Sequence, residues 1–133
     1  MARKIMVIDD DQIILDSVTK ILRSEDFGVH TSLSSKEGLE RVLKEDFSLV
    51  LSDIRMPEIG GMKVLREIKK EKPDLPVIII TGYSSVDTAV QSMKLGAADY
   101  VEKPFSPDDL LARIEKATAE STDSSAPSRE KQG

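Results

Sequence analysis

The stretch Leu49-Val50-Leu51-Ser52-Asp53-Ile54-Arg55-Met56-Pro57 decides the fold of this chain. Its apolar residues form a short run that ends in the carboxylate of Asp53, and a loop containing Pro57 follows at once. A short apolar run bounded by turn signals is typical of a strand buried on both faces of a sheet. We therefore expect Asp53 to stand at the carboxyl end of a central strand, where its side chain is available for chemistry.

The composition of the chain predicts one globular domain in the cytoplasm. Its 133 residues suffice for a single core, and 39% hydrophobic with 32% charged residues is ordinary for such a domain. No apolar run reaches the roughly 18–20 residues that cross a bilayer, and the N-terminus lacks the layout of a signal peptide. The absence of cysteine excludes disulfides and thiolate metal sites. A net charge of −5 argues against a general nucleic-acid or membrane-surface binder.

Five short apolar runs alternate with segments of helical period along the chain. The predicted strands cover residues 4–9, 29–33, 49–53, 77–81 and 99–102. After each strand, apolar residues recur at the spacing of a helix that buries one face. This alternation with short connections predicts a three-layer α/β fold, in which helices cover both faces of a parallel sheet. The mixed polarity of the second strand predicts a position at the edge of the sheet.

Capping residues predict several helix ends. Ser34 with Glu37 three residues later has the pattern of a capping box, and Ser85 and Ser106 are candidate N-caps. Gly96 stands where a glycine is expected after a helix C-terminus.

The composition changes near residue 121. From there to residue 133 the chain is rich in Ser and contains no apolar residue larger than Ala. Such a segment cannot bury enough surface to offset its ordering entropy. We therefore expect one domain over residues 1–120 and a disordered tail or linker stub over residues 121–133.

Polar side chains stand where four of the five predicted strands end. Right-handed crossovers bring the carboxyl ends of parallel strands to one edge of the sheet, where ligands bind. The side chains predicted to meet there are Asp9, Asp10 and Asp11 from the first strand, Asp53 from the third, Thr81 from the fourth and Lys103 from the fifth. Clustered carboxylates repel one another, and one Lys cannot neutralise them all. We therefore predict a hard divalent cation, and Mg2+ suits these oxygen ligands.

Phosphoryl transfer to Asp53 is the reaction that this set of residues predicts. A cation beside Asp53 lets an anionic phosphodonor approach a carboxylate, and an Asp can form an acyl phosphate. We expect Lys103 to pair with Asp53 before the reaction and with a phosphate oxygen after it. Thr81 is expected to donate its hydroxyl to another phosphate oxygen.

Four motifs at successive strand ends carry a resemblance to a known family. They are Val7–Asp11, Ser52–Pro57, Ile80–Gly82 and Tyr100–Phe105, and they occur in the family's order and spacing. With these motifs the chain resembles the receiver domain of a two-component response regulator over about residues 3–119. The resemblance implies a flavodoxin-like (CheY-like) fold with five parallel strands in the order 2-1-3-4-5.

The resemblance also implies a role for each residue of the site. Asp53 is the implied phosphoacceptor, and Lys103 and Thr81 are implied to contact the phosphoryl group. The implied Mg2+ ligands are Asp10, Asp53 and the backbone carbonyl of Arg55, with Asp9 acting through a water. The Lys103–Pro104 bond is often cis in the family, and we expect it to be cis here.

Tyr100 resembles the switch aromatic of the family, which moves inward when Thr81 moves toward the phosphate. The surface of the fourth helix, fifth strand and fifth helix is then the implied interface for an output domain or effector, and a phosphorylation-dependent homodimer is a further candidate. Arg55 and Tyr83 occupy the positions that tune the phosphoryl lifetime in the family. Neither is suited to orienting an attacking water, so we expect the phosphate to be lost slowly.

The implied function is a signalling switch rather than an enzyme. Its phosphoryl group would come from a sensor histidine kinase or a phosphotransfer protein, and the switch would promote only its own phosphorylation and slow dephosphorylation. The sequence leaves open whether the chain is a complete regulator or the receiver of a longer one, and it contains no recognisable DNA-binding element.

One alternative is a haloacid-dehalogenase-like, Mg2+-dependent phosphatase. Its nucleophile would be Asp9, because Asp9-Asp10-Asp11 satisfies the Asp-x-Asp pattern of that class after a buried strand. The class also needs a later pair of acidic ligands, for which Asp108-Asp109 is the candidate. The two functions predict different labelled residues, Asp53 for the switch and Asp9 for the phosphatase. His30 is expected to be structural in either case.

Overall fold

Strands and helices alternate along the whole described part of the chain. The computed structural model describes residues 3–82 and 84–124, and describes side chains as far as residue 119. The strands are β1 (Lys4–Ile8), β2 (Gly28–Ser32), β3 (Leu49–Ser52), β4 (Val77–Thr81) and β5 (Asp99–Glu102). The helices are α1 (Gln12–Arg23), α2 (Ser35–Lys44), α3 (Gly61–Glu71), α4 (Val86–Lys94) and α5 (Pro107–Ser124). Each strand lies within one residue of its predicted bounds.

The strands form one sheet in the order β2-β1-β3-β4-β5, and all four pairings are parallel. This confirms the predicted fold, including the edge position of β2. Every residue of β3 and β4 is buried, because helices cover both faces of the sheet there. The strand order reverses between β1 and β3, and in open α/β sheets ligands bind at the carboxyl ends of the strands beside such a reversal.

Alternate residues of the three central strands, β1, β3 and β4, enter two separate cores. Ile5 and Val7 of β1 belong to one core, which α1 and α5 cover, and Met6 and Ile8 belong to the other, which α2 and α3 cover. The period of two follows from the pleat of a strand. Both cores consist mainly of fully buried aliphatic side chains. The central strands are therefore fixed from both sides, and so are the residues that follow them.

The fourth helix is less buried than the other three whose side chains are fully described. Its one buried residue is Ser92, whereas Val86 is 79% exposed and Val90 and Met93 are about half exposed. The apolar residues of α4 thus lie on the surface of the described chain. None of the described helices combines the length and the apolar character that spanning a lipid bilayer requires.

The predicted caps are present, with one difference. The Ser34 hydroxyl accepts a hydrogen bond from the Glu37 N–H as predicted, but the N–H of Ser34 donates to the hydroxyl of Ser32 and not to the Glu37 side chain, so the capping box predicted there is half formed. Both bonds of a capping box occur instead at Ser85, with Thr88 in the third helical position. Gly96 follows Leu95, the C-cap of α4, and has a φ of +104°, which confirms the expected glycine.

Two further predictions concern the chain after β5. The Lys103–Pro104 peptide bond is cis, as expected. The helix α5 runs to Ser124, four residues beyond the boundary predicted at residue 120, and no Pro or Gly interrupts residues 108–124. The rest of the predicted tail, residues 125–133, lies outside the described residues.

Candidate functional site

An open cleft of about 650 Å3 lies at the carboxyl ends of β1 and β3. The residues that line it are Asp9, Asp10, Asp11, Asp53, Ile54, Arg55, Met56, Pro57 and Lys103. Asp9 is fully buried and Asp53 is 5% exposed, whereas Asp10 is exposed. Asp9 and Asp53 directly follow the paired ends of β1 and β3, where Ile8 and Ser52 are neighbours in register. The sheet therefore brings together the carboxylates that the sequence predicted to meet.

The buried carboxylate of Asp9 has two hydrogen-bond partners. Its Oδ2 lies 2.8 Å from the Nζ of Lys103, and its Oδ1 accepts a bond of 3.0 Å from the N–H of Asp11. Burial raises the pKa of Asp9 above its usual value, although Lys103 and the N–H of Asp11 oppose this shift. The negative charge of Asp53 raises it further. The contacts with Lys103 and with the N–H of Asp11 thus favour the ionised form of Asp9 against the cost of its burial.

Lys103 bridges the two buried carboxylates. Its Nζ lies 3.3 Å from Oδ2 of Asp53, in addition to its shorter contact with Asp9. Burial lowers the pKa of Lys103, but its hydrogen bonds and the charges of the two carboxylates outweigh this, and the pKa is raised. The predicted contact with Asp53 is therefore present. The shorter contact with Asp9 was not predicted, because the sequence places both carboxylates at strand ends without ranking their distances.

The carboxylate of Asp53 is oriented by its own loop. Its Oδ1 accepts a bond of 2.7 Å from the N–H of Ile54. Gly61 packs against the same segment, since a Cβ there would lie 2.6 Å from the Cα of Ile54 and closer still to the carbonyl oxygen of Asp53. Its N–H donates to the carbonyl of Ile54 at 2.8 Å. A glycine at the start of α3 thus lets the helix approach the residue that follows β3.

The acidic group has the composition of a site for a hard cation. Carboxylate oxygens of Asp9, Asp10 and Asp53 lie within 4.8 Å of one another. Oxygen ligands at such spacing, open to solvent on one side, fit Mg2+ with part of its water shell. Asp11 is not part of this acidic group, because its Oδ1 accepts a hydrogen bond from the N–H of Ile13 and caps the N-terminus of α1. Arg55 lines the same cleft, next to the implied ligands.

Thr81 and Tyr100 do not line this cleft. Thr81 ends β4 and is fully buried, and its carbonyl accepts from the N–H of Lys103 at 2.8 Å. The half-buried Tyr100 lines a second cleft between α4 and α5, and its hydroxyl lies 2.7 Å from that of Thr88. The other implied lifetime position, Tyr83, is outside the described residues.

The contact between Tyr100 and Thr88 was not predicted from the sequence. The two residues lie 12 positions apart, and the contact depends on how α4 packs against β5. A local signal did exist, because Thr88 stands three residues after the N-cap Ser85 and closes its capping box. This position normally carries Glu or Gln, so the polar Thr had no assigned partner in the sequence.

Residues 5–115 match the family model of the response regulator receiver domain. Among characterised proteins, the transcriptional regulatory protein ZraR of Escherichia coli is 44% identical over 115 residues, and FixJ of Bradyrhizobium diazoefficiens is 42% identical over 113. These alignments cover 86% and 85% of the chain, but only 26% of ZraR and 55% of FixJ. The chain therefore spans a part of these relatives.

Solved structures agree with the sequence matches. A CheY-like receiver domain protein from Methanospirillum hungatei has a TM-score of 0.90 at 35% identity, with 93% of this chain and 99% of that chain covered. The beryllofluoride-activated receiver domain dimer of NtrC4 has a TM-score of 0.85 at 36% identity, with 89% and 98% covered.

The phosphatase alternative gains no support. The relatives are response regulators and receiver domains, and the acidic pair that a haloacid dehalogenase would need, Asp108 and Asp109, is exposed in the first turn of α5 and does not line the acidic cleft. Because the family match covers most of the sequence and the fold agrees with it, the chain belongs to the receiver domains of two-component response regulators.

Proposed function

We propose that Asp53 accepts a phosphoryl group and that the chain acts as a phosphorylation-controlled switch. The observation that carries this proposal is the position of Asp53, a nearly buried carboxylate that opens into the acidic cleft and contacts Lys103. In the transfer, an oxygen of Asp53 attacks the phosphorus and forms a P–O bond. The P–N bond to a phosphohistidine breaks at the same time, and the histidine nitrogen keeps the electron pair and takes a proton from water.

Mg2+ is the proposed cofactor. Asp10, Asp53 and the backbone carbonyl of Arg55 would hold it, with Asp9 acting through a water, since their oxygens are hard ligands and three of these residues cluster in the cleft. The bound cation would supply charge neutralisation for the transferring phosphoryl oxygens. Asp9 itself keeps Lys103 in place through their 2.8 Å contact.

Lys103 and Thr81 are the proposed partners of the phosphate. Lys103 already bridges two carboxylates, so it can exchange its longer contact, to Asp53, for a phosphate oxygen while it keeps Asp9. Thr81 ends the strand next to β3 and would donate its hydroxyl to a further phosphate oxygen. Arg55 at the cleft would shield the acyl phosphate, which supports the proposal of a long lifetime.

The output of the switch is a shift between two conformations. We assign the observed contact between the Tyr100 hydroxyl and Thr88 on α4 to the resting conformation as part of this proposal. A phosphate on Asp53 that draws Thr81 would favour the conformation in which Tyr100 is inward, and this releases Thr88. A phosphate with equal contacts in both conformations would shift nothing. The exposed apolar residues of α4, with β5 and α5, are then the proposed contact surface.

The proposed partners follow from this surface and from the relatives. A sensor histidine kinase or phosphotransfer protein in the cytoplasm would supply the phosphoryl group, and an output domain or effector would read the face of α4, β5 and α5. ZraR and FixJ are transcriptional regulatory proteins, and NtrC4 forms a receiver domain dimer, so a linked output domain and a phosphorylation-dependent homodimer are proposed for this chain. Residues 1–120 would form the receiver, and residues 121–133 would form a tail or linker that begins within the last turn of α5.

The proposal is tested by phosphorylating the protein with a small acyl phosphate and Mg2+ and weighing the intact chain. The expected result is a mass gain of one phosphoryl group that requires Mg2+ and is lost in Asp53→Asn. Asp16→Asn, at an exposed aspartate of α1, is the matched control and should be labelled like the wild type. An undiminished mass gain in Asp53→Asn would overturn the proposal.

A further inference from the structure

The loop between β3 and α3 forms one wall of the acidic cleft, and two serines at the start of α2 form hydrogen bonds with this loop. Residues 54–57 of this loop line the cleft. The loop also contacts Ser34, the N-cap of α2, and Ser35, the first residue of that helix. These serines are more than 20 positions away in sequence, so the contact joins two separate parts of the chain.

Ser35 is a buried residue whose hydroxyl both donates to the loop and accepts from it. Ser35 as a whole is only 1% exposed. Its hydroxyl donates to the carbonyl of Pro57 at 2.9 Å and accepts from the N–H of Ile59 at 3.0 Å. One side chain thus satisfies two backbone groups of the loop, on either side of Glu58. Loss of the hydroxyl would leave both partly buried backbone groups without this partner.

The contact with Ser34 is at the surface and reinforces the first one. The Ser34 hydroxyl donates to Oε1 of Glu58 at 2.8 Å while it accepts from the N–H of Glu37. Glu58 has a φ of +69°, a backbone conformation that residues other than glycine rarely adopt. Three hydrogen bonds from two serines therefore surround the one residue of the loop whose backbone is in the left-handed region. Without these hydrogen bonds, the backbone conformation of the loop would be less stable.

We propose that Ser34 and Ser35 are positioning residues for the metal site, because they hold the loop that forms its wall. This inference rests on the proposed Mg2+ site, to which the loop would contribute the carbonyl of Arg55. The two serines touch neither the cleft nor the implied ligands. They act on the loop two to four residues after Arg55, as outer-shell partners act on metal ligands elsewhere. The same contact would pass a displacement of α2 to the metal site.

The experiment measures Mg2+ affinity by calorimetric titration of the full chain, at a temperature well below the melting transition. Ser35→Ala should weaken Mg2+ binding by about tenfold, the lower end of the effect of outer-shell substitutions. The matched control is Ser92→Ala, which removes another fully buried serine hydroxyl that donates to a backbone carbonyl, on α4. If Ser35 only stabilised the fold, both variants would keep the wild-type affinity whatever their melting temperatures.

A second variant keeps the test valid if Ser35→Ala does not fold. Glu58→Ala removes an exposed side chain and the Ser34 contact alone, and it should weaken Mg2+ binding by a smaller factor. An unchanged affinity in every folded variant of Ser35 and Glu58 would overturn the positioning role of the serines. If the wild type bound no Mg2+, or Asp10→Asn bound it normally, the metal site itself would be wrong, and that result is distinguishable from failure of the positioning role.

Discussion

Replacing Lys103 with Met should lower the free energy of unfolding by about 3–5 kcal/mol in the absence of divalent cations. The Nζ of Lys103 lies 2.8 Å from Asp9 and 3.3 Å from Asp53, and these carboxyl groups belong to residues that are 0% and 5% exposed. At an effective dielectric constant of about 20, each contact contributes about 5–6 kcal/mol of attraction. Part of this is offset by the desolvation of the ammonium, which the variant no longer undergoes.

The assay is urea unfolding followed by far-UV circular dichroism, with EDTA present. For a slope of about 1–3 kcal/mol/M, the loss would move the midpoint down by about 1–3 M. Adding Mg2+ should return more stability to Lys103→Met than to the wild type, because a cation would then neutralise two carboxylates that have lost their ammonium. Lys20→Met, at an exposed Lys of α1, is the control and should change little.

An unchanged midpoint in Lys103→Met, with an unchanged slope, would refute the reasoning. It would mean that the fold accommodates the carboxylates of Asp9 and Asp53 without the ammonium of Lys103. Equal stabilisation of the wild type and the variant by Mg2+ would separately refute the view that the cation and Lys103 compensate the same charges.

Three further predictions concern other parts of the chain. Thr88→Val removes the bond to Tyr100 from the resting conformation, so the phosphate mimic beryllofluoride should bind about two- to tenfold more tightly in an NMR titration. Gly61→Ala forces a Cβ against the backbone after β3 and should cost at least about 1–3 kcal/mol in urea unfolding. The pKa of His30 is lowered by burial and by neighbouring cations, so the wild type should lose stability as the pH falls from about 7.5 to about 5.5, and His30→Gln should lose less.

Each of these predictions has a control or a contrary outcome. For Gly61, the neighbour Gly60 has open space where a Cβ would lie, with no atom within 4 Å, so Gly60→Ala should cost far less than Gly61→Ala. For Thr88, beryllofluoride affinity equal to or below that of the wild type would contradict the resting contact. For His30, the folded pKa lies below the unfolded one, so protonation favours unfolding; parallel pH profiles of wild type and His30→Gln would contradict this.

The strands, and the carboxylates at their carboxyl ends, could be predicted because each depends on a short segment of sequence. The run Val77–Thr81 is β-branched throughout and is found as the fully buried strand β4. The aspartates that follow buried strands must lie together once the strands are parallel, and Asp9 and Asp53 do. Apolar runs that each end in a polar residue were therefore enough to predict the fold and the residues that line the cleft.

The contacts that hold the site depend on long-range packing and were not predictable in the same way. Ser35 meets Pro57 across 22 positions, and nothing in either local sequence indicates the other. Lys103 lies nearer to Asp9 than to Asp53, a difference that arises from side-chain geometry after folding. The apolar positions of α4 followed a helical spacing, but spacing alone does not say that Val86 would be exposed.

The most direct test of the central claim is to identify the residue that carries the phosphoryl group. The protein is incubated with a small acyl phosphate and Mg2+, the aspartyl phosphate is reduced with borohydride, and the peptides are sequenced by mass spectrometry. A switch of the proposed kind gives homoserine at position 53, next to Lys103 in the cleft. Reduction product at position 9, as a phosphatase nucleophile would give, or none at position 53, would contradict the account.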